Sequence, residues 1–248
     1  MKNLLYILIL FSITISCKKD NQPNAQSIVD KAIEVTGGEA FAASTISFDF
    51  RDKSYKAIRN NGVYQFEREF VDSTNTIKDV LSNNGFQRYI NETPFTVHDT
   101  MVPKYSRSVN SVHYFSVLPY GLNDAAVTKS YLNDVSIKGK TYHKIKVSFS
   151  QDGGGDDFED VFVYWIDKIS FKVDYLAYSY QDNSPTKIGY RFREAYNERY
   201  INGLRFVDYN NYKPKNSITN LLSLDKLFEA DKLKLLSKIE NKNIEVNY

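Results

Sequence analysis

Residues 46–67 read ISFDFRDKSYKAIRNNGVYQFE. Ile46, Phe48 and Phe50 alternate with Ser47 and Asp49, and Tyr64 and Phe66 alternate with Gln65 and Glu67. Successive side chains leave a strand on opposite faces, so a period of two with one polar side marks half-buried antiparallel strands. Asn61-Gly62 stands between the two runs. It is a strong hairpin signal, because both positions of the tight turn require positive φ.

The same signals recur along the chain. Asn84-Gly85 and Asn202-Gly203 also separate strand-like runs, and Lys138-Gly139-Lys140 and the glycines at 153–155 look like further hairpin connections. Together they predict about nine to eleven strands, a large sheet by ordinary standards. Composition agrees: 19 Tyr and 16 Phe make the chain 15% aromatic, and aromatic residues favour pleated, half-buried surfaces.

Helical spacing interrupts the strands in three places. Ala25 to Thr36 carries Ile28, Ala32, Ile33 and Val35 and stops at Gly37-Gly38, a suitable helix end. Tyr105 to Phe115 places Val109, Val112 and Phe115 on one side, with Pro119 soon after. Leu224, Leu227 and Phe228 form a short amphipathic turn, followed by a strand-like pair at 233–239 and 244–248. No repeat, low-complexity run or linker splits residues 25–248. The expected fold is mainly β with a few helices (α+β): one domain whose large curved antiparallel sheet, a half-barrel, covers an N-terminal and a central helix.

The first residues belong to export. Lys2 precedes an apolar stretch from Leu4 to Ile15, long enough for a signal-peptide core and short of the roughly 20 residues that span a bilayer. Thr14-Ile15-Ser16-Cys17 resembles a lipobox, with Thr14 where an aliphatic residue is usual, and Cys17 is the chain's single cysteine. Residues 1–16 are therefore expected to be removed and Cys17 to carry lipid, anchoring the protein to a membrane. Each buried acyl methylene contributes about 0.8 kcal/mol, so two or three chains hold without a transmembrane helix. Residues 17–24 read as a polar tether. Lys18-Lys19-Asp20 loosely resembles a surface-sorting tag. The expected location is the cell envelope, at the outer membrane, with periplasmic face and cell surface both open.

Three further stretches carry a resemblance: His113-Tyr114-Phe115-Ser116-Val117-Leu118-Pro119, Gly139-Lys140-Thr141-Tyr142-His143-Lys144-Ile145-Lys146-Val147 and Tyr164-Trp165-Ile166-Asp167. They are similar to those of an uncharacterised family of bacterial envelope lipoproteins. The order of elements resembles the LolA/LolB-like lipoprotein-carrier superfamily. That resemblance implies a large curved sheet closing over helices, and no established activity.

The residues offer little for catalysis. His98, His113 and His143 are the only histidines, and none has a metal-ligand spacing. Asp152 to Asp160 packs five carboxylates into nine residues, without the spacing of a calcium loop, and reads as a solvated hairpin tip. There is no nucleophile elbow and no phosphate loop. No catalytic residue, cofactor or metal is expected. A net charge of +2 from 32 basic and 30 acidic residues gives no basic stripe for nucleic acid.

A binder remains. The concave face would draw on Phe48, Phe50, Phe66, His143, Ile145, Val147, Phe149, Val163 and Trp165. An apolar groove of this kind suits an acyl chain, a lipid, a lipoprotein or another apolar ligand, since about 14 buried methylenes would contribute about 11 kcal/mol before ordering costs. Two alternatives stay open. The same residues would fill a core and leave a scaffold or interaction module, or exposed Tyr and Trp would stack on carbohydrate.

Overall fold

The structure, a computed structural model, describes residues 23–154, 158–181, 188–217 and 220–248. The signal segment, Cys17 and most of the tether lie outside the described residues, as do residues 155–157 of the acidic stretch.

The described chain is mainly β, with fourteen strands and a few helices. The strands form two seven-stranded antiparallel sheets rather than one, and neither closes into a barrel. The first sheet contains β1 (Thr45–Phe50), β2 (Lys53–Asn60), β3 (Val63–Asp72), β4 (Asn75–Ser82), β5 (Gly85–Ile90) and β6 (Thr93–Phe95). The second runs through β7 (Val127–Ile137), β8 (Lys140–Phe149), β9 (Val161–Asp167), β10 (Val173–Gln181), β11 (Ile188–Ile201), β12 (Leu204–Pro214) and β13 (Leu233–Ile239). β14 (Asn241–Asn247) then returns to the first sheet beside β1. The two C-terminal strands expected to be a pair thus belong to different sheets, and the chain crosses between them at Glu240 alone.

The hairpins follow from the turn residues. Asn61-Gly62, Lys138-Gly139 and Asn202-Gly203 each hold both positions at positive φ, whereas at Asn84-Gly85 only the glycine does.

Helix α1 (Ala25–Thr36) starts where the Asn24 side chain accepts a hydrogen bond from the Gln26 N–H at 2.9 Å. It stops at Gly37, whose φ is 131° and where a Cβ would stand 2.5 Å from Leu204. Its Ile28, Val29, Ala32 and Ile33 pack with Ile145, Tyr164 and Leu176 on the inner face of the second sheet. Helix α2 (Val102–Ser116) begins with Pro103 in its first turn. His113 points from it into the rings of Phe48, Tyr55 and Phe66 on the first sheet. Tyr114 and Phe115 point to Phe162 of the second.

Helix α3 (Leu224–Glu229) covers the opposite face of the second sheet, where Leu224 and Phe228 meet Trp165, Tyr175 and Phe192. A third cluster, including Phe41, Ile46, Phe48, Leu204 and Phe206, joins the two sheets. Among the described residues, no helix is long and apolar enough to cross a membrane.

Candidate functional site: a cavity between the sheets

Ladder register decides which side chains share a face. Val147 lies opposite Phe162, Phe162 opposite Tyr178, Leu176 opposite Arg193, and Arg193 opposite Asn211. These residues therefore project to the same side of the second sheet. The first sheet faces them with Phe50, Arg59, Tyr64 and Phe66, and α2 stands between with Val112, Tyr114 and Phe115. The three layers do not meet completely. They leave a half-open cavity of about 870 Å³, within the range of small-molecule sites.

Ten aromatic rings stand in its walls. Phe162 and Tyr178 stack at 5.2 Å, Phe115 lies 5.2 Å from Tyr178, and Phe149 meets Phe162 edge-on at 5.8 Å. Two buried arginines lie among the rings. The Arg193 guanidinium lies 3.8 Å from the Phe115 ring centre and donates through Nη2 to Tyr178 Oη at 2.9 Å. Arg59 reaches across the Phe66 ring at 4.9 Å. Nε and Nη1 of Arg193, Nη1 of Arg59 and Oδ1 of Asn211 are buried and have no hydrogen-bond partner among the described residues.

Burial shifts the titratable groups around the cavity. Burial pushes the Arg59 guanidinium down to about 10 against the opposing effect of Tyr120. It pushes the Tyr114 phenol up to about 12, partly offset by the hydrogen bond with Tyr164. Burial also raises the Asp124 carboxyl, with Lys129 acting the other way.

Apart from His143, the expected site residues divide into three groups. Phe50, Phe66 and Phe149 line the cavity. Phe48, Ile145 and Val147 are buried in the packed core beside it. Val163 and Trp165 are a correction: β9 places Val163 opposite Lys146 and Trp165 opposite Lys144, so both face away from the cavity and pack under α3. The alternation of a single strand names two faces without saying which is inner. Trp165 is fully buried, so it offers no platform for a sugar.

His143 shares the inner face but lies outside the cavity lining. Its Nδ1 is 3.1 Å from Asp134 Oδ1, and Asp134 also accepts from Tyr131 and Lys168. His113 donates from Nε2 to the Glu67 carbonyl at 3.0 Å, and His98 contacts Thr100 at 2.9 Å. Each histidine has a local partner of its own. In the acidic stretch, Glu159 accepts from Gln181. Among the described residues, no group of three His, Cys, Asp or Glu is placed to hold a metal.

Arg59, Arg193, Asn211, Tyr178 and Phe162 were not anticipated. Arg193 shares a strand face with Gly189, Arg191 and Ala195, a pattern that reads as solvent-facing until the sheet is assembled.

Residues 3–241 match the model of the family of unknown function DUF6503. The chain belongs to this family. No curated protein matches the DUF6503 chain. Among solved structures, it is similar to a LolA superfamily protein from Nitrosomonas europaea, at 10% identity and a TM-score of 0.48, over 92% of this chain and 93% of that one. It is also similar to an outer membrane lipoprotein-sorting protein domain from Vibrio parahaemolyticus, at 9% identity and 0.45, over 90% and 94%. A DUF1329 family protein from Desulfovibrio piger gives 7% identity and 0.42, over 89% and 92%. These are likenesses of arrangement, and no activity is carried across on them.

Proposed function

We propose that this DUF6503 protein is an exported lipoprotein whose folded region binds an acyl chain or a similar apolar ligand without catalysing a reaction. Residues 1–16 act as the signal segment, Cys17 carries the lipid, residues 17–24 form the tether, and residues 25–248 fold as one ligand-holding unit at the outer membrane.

The observation that carries the binding function is the aromatic cavity of about 870 Å³ between the two sheets. Protein interiors are close-packed, and a space of this size, bordered by rings from both sheets and α2, favours an occupant over a filled scaffold. The non-enzymatic reading draws on the separate positions of His98, His113 and His143, each tied to a partner of its own.

Native mass spectrometry of the purified chain tests the binding function. An adduct of lipid mass is expected, and an unliganded spectrum from freshly isolated protein would refute it. The anchor has its own test: Cys17→Ala is expected to abolish fatty-acid labelling and release the protein from membranes, and labelling that persists would remove Cys17 from the account.

A further inference from the structure

The cavity lining mixes aromatic rings with polar side chains such as Asn110, Ser111 and Asn211, and its charges are unbalanced. Arg51, Arg59, Arg107 and Arg193 border it, against Asp124 and Asp160. Arg107 and Asp160 have interactions of their own, and Asp124 feels the opposite charge of Lys129. Arg51 lies against the Phe50 ring and is exposed. Arg193 and Arg59 differ. They are only 7% and 9% exposed, they stand on opposite sheets, and neither forms an ion pair among the described residues. Both hold donors that find no acceptor.

A buried charge is normally paired or hydrogen-bonded, because leaving water is costly. The rings of Phe115 and Phe66 soften that cost by lying against the guanidinium groups, yet they accept none of the in-plane N–H bonds. The unpartnered donors call for an acceptor beside the aromatic rings, and a negative one would also offset the two buried charges.

We propose that the occupant is an anionic amphiphile: its chain lies among the rings and its carboxylate or phosphate accepts hydrogen bonds from Arg193, with Arg59 supplying the second positive charge from the opposite sheet. This rests on the apolar-ligand function proposed above and adds the chemistry of the head group. Arg193 Nε and Nη1 are the unpartnered donors, covered by neighbouring side chains, so a head group engages them through a small shift of the guanidinium from its seat between Tyr178 and Phe115.

The test titrates the full chain, held in phosphatidylcholine nanodiscs with empty discs as the blank, with dodecanoate, dodecyl phosphate and dodecan-1-ol. The chain length is constant and only the head group changes. At least one acid is expected to bind roughly tenfold or more tighter than the alcohol, and Arg193→Gln to cut that preference below about threefold by weakening the acids. Preference for dodecanoate alone assigns a fatty acid, and preference for dodecyl phosphate alone a phospholipid-type head. Arg59→Gln, on the other sheet, gives an independent readout should Arg193→Gln lose its melting transition; it is expected to weaken the acids in the same direction. Equal binding of all three ligands, untouched by either substitution, would overturn the head-group assignment and leave the apolar cavity standing. Failure of all three to bind would overturn the ligand-binding function itself.

Discussion

Lys144 Nζ lies 2.7 Å from Asp225 Oδ2, and both side chains are buried on the face of the second sheet that looks away from the cavity. The same oxygen accepts the Trp165 indole N–H at 3.3 Å, and Lys144 also donates to the Leu222 carbonyl at 2.7 Å. One carboxylate therefore fastens α3 to β8 and β9.

Removing only one partner of this pair strands a charge. Asp225→Leu is expected to cost about 3–5 kcal/mol, and the double variant Lys144→Met, Asp225→Leu to recover most of it. Urea unfolding of the three chains measures this, and a double variant no better than the single one would contradict it.

Asp79 makes an analogous connection on the first sheet. It is fully buried and accepts from Arg68 at 2.5 Å and from Arg88 at 2.6 Å, while Arg68 reaches Ser108 of α2 at 2.7 Å. Asp79→Asn leaves two guanidinium groups without their counter-charge. The expected loss is about 3 kcal/mol or more, accompanied by faster amide exchange in α2; an exchange pattern identical to wild type would separate the helix from this network.

His113 predicts a pH dependence. Burial drives its imidazole down to about 3 from the ordinary 6.5, and the carbonyl of Glu67 only partly opposes this. The folded pKa is depressed, so below 6.5 the unfolded chain takes up a proton that the folded chain refuses. Stability contributed by the neutral ring is present above pH 6.5 and is lost as the pH falls toward 3. Between pH 6.5 and 5 the expected loss is about 1.5 kcal/mol. His113→Phe keeps an aromatic ring and should flatten that part of the profile; an unaltered slope would show that other groups set it.

Val112 borders the cavity from α2. Val112→Phe adds volume to an unfilled space, so the fold is expected to hold within about 1 kcal/mol while bound lipid disappears from native mass spectra. Full retention of lipid would place the ligand elsewhere.

Much of this architecture is legible in the sequence. Alternation in 46–50 and 64–67, the Asn-Gly turns and the Gly37 stop are local signals, set by backbone sterics that need no tertiary context. Three-residue β6 carries too little alternation to be counted. The division into two sheets is hidden as well. A single residue, Glu240, separates β13 from β14, which reads as a hairpin. The crossing is instead held by distant groups: Tyr196 donates to Glu240, the Asn241 N–H to Asp208, and Arg199 to the Asn241 carbonyl. The arginines of the cavity were hidden for the same kind of reason, since the inward face of β11 is defined only by its neighbours.

The passage of the chain through Glu240 has a mechanical consequence. Along that margin the two sheets are joined by one residue and by the cluster around Phe41 and Phe206, whereas the edge strands of the far margins, β6 and β7, are joined through the longer segment that contains α2. Such a body behaves like a clam shell. Parting the valves at the β6–β7 side would leave every ladder bond within each of them intact, since the two sheets share none, and its cost would fall on the ring contacts that α2 makes with both.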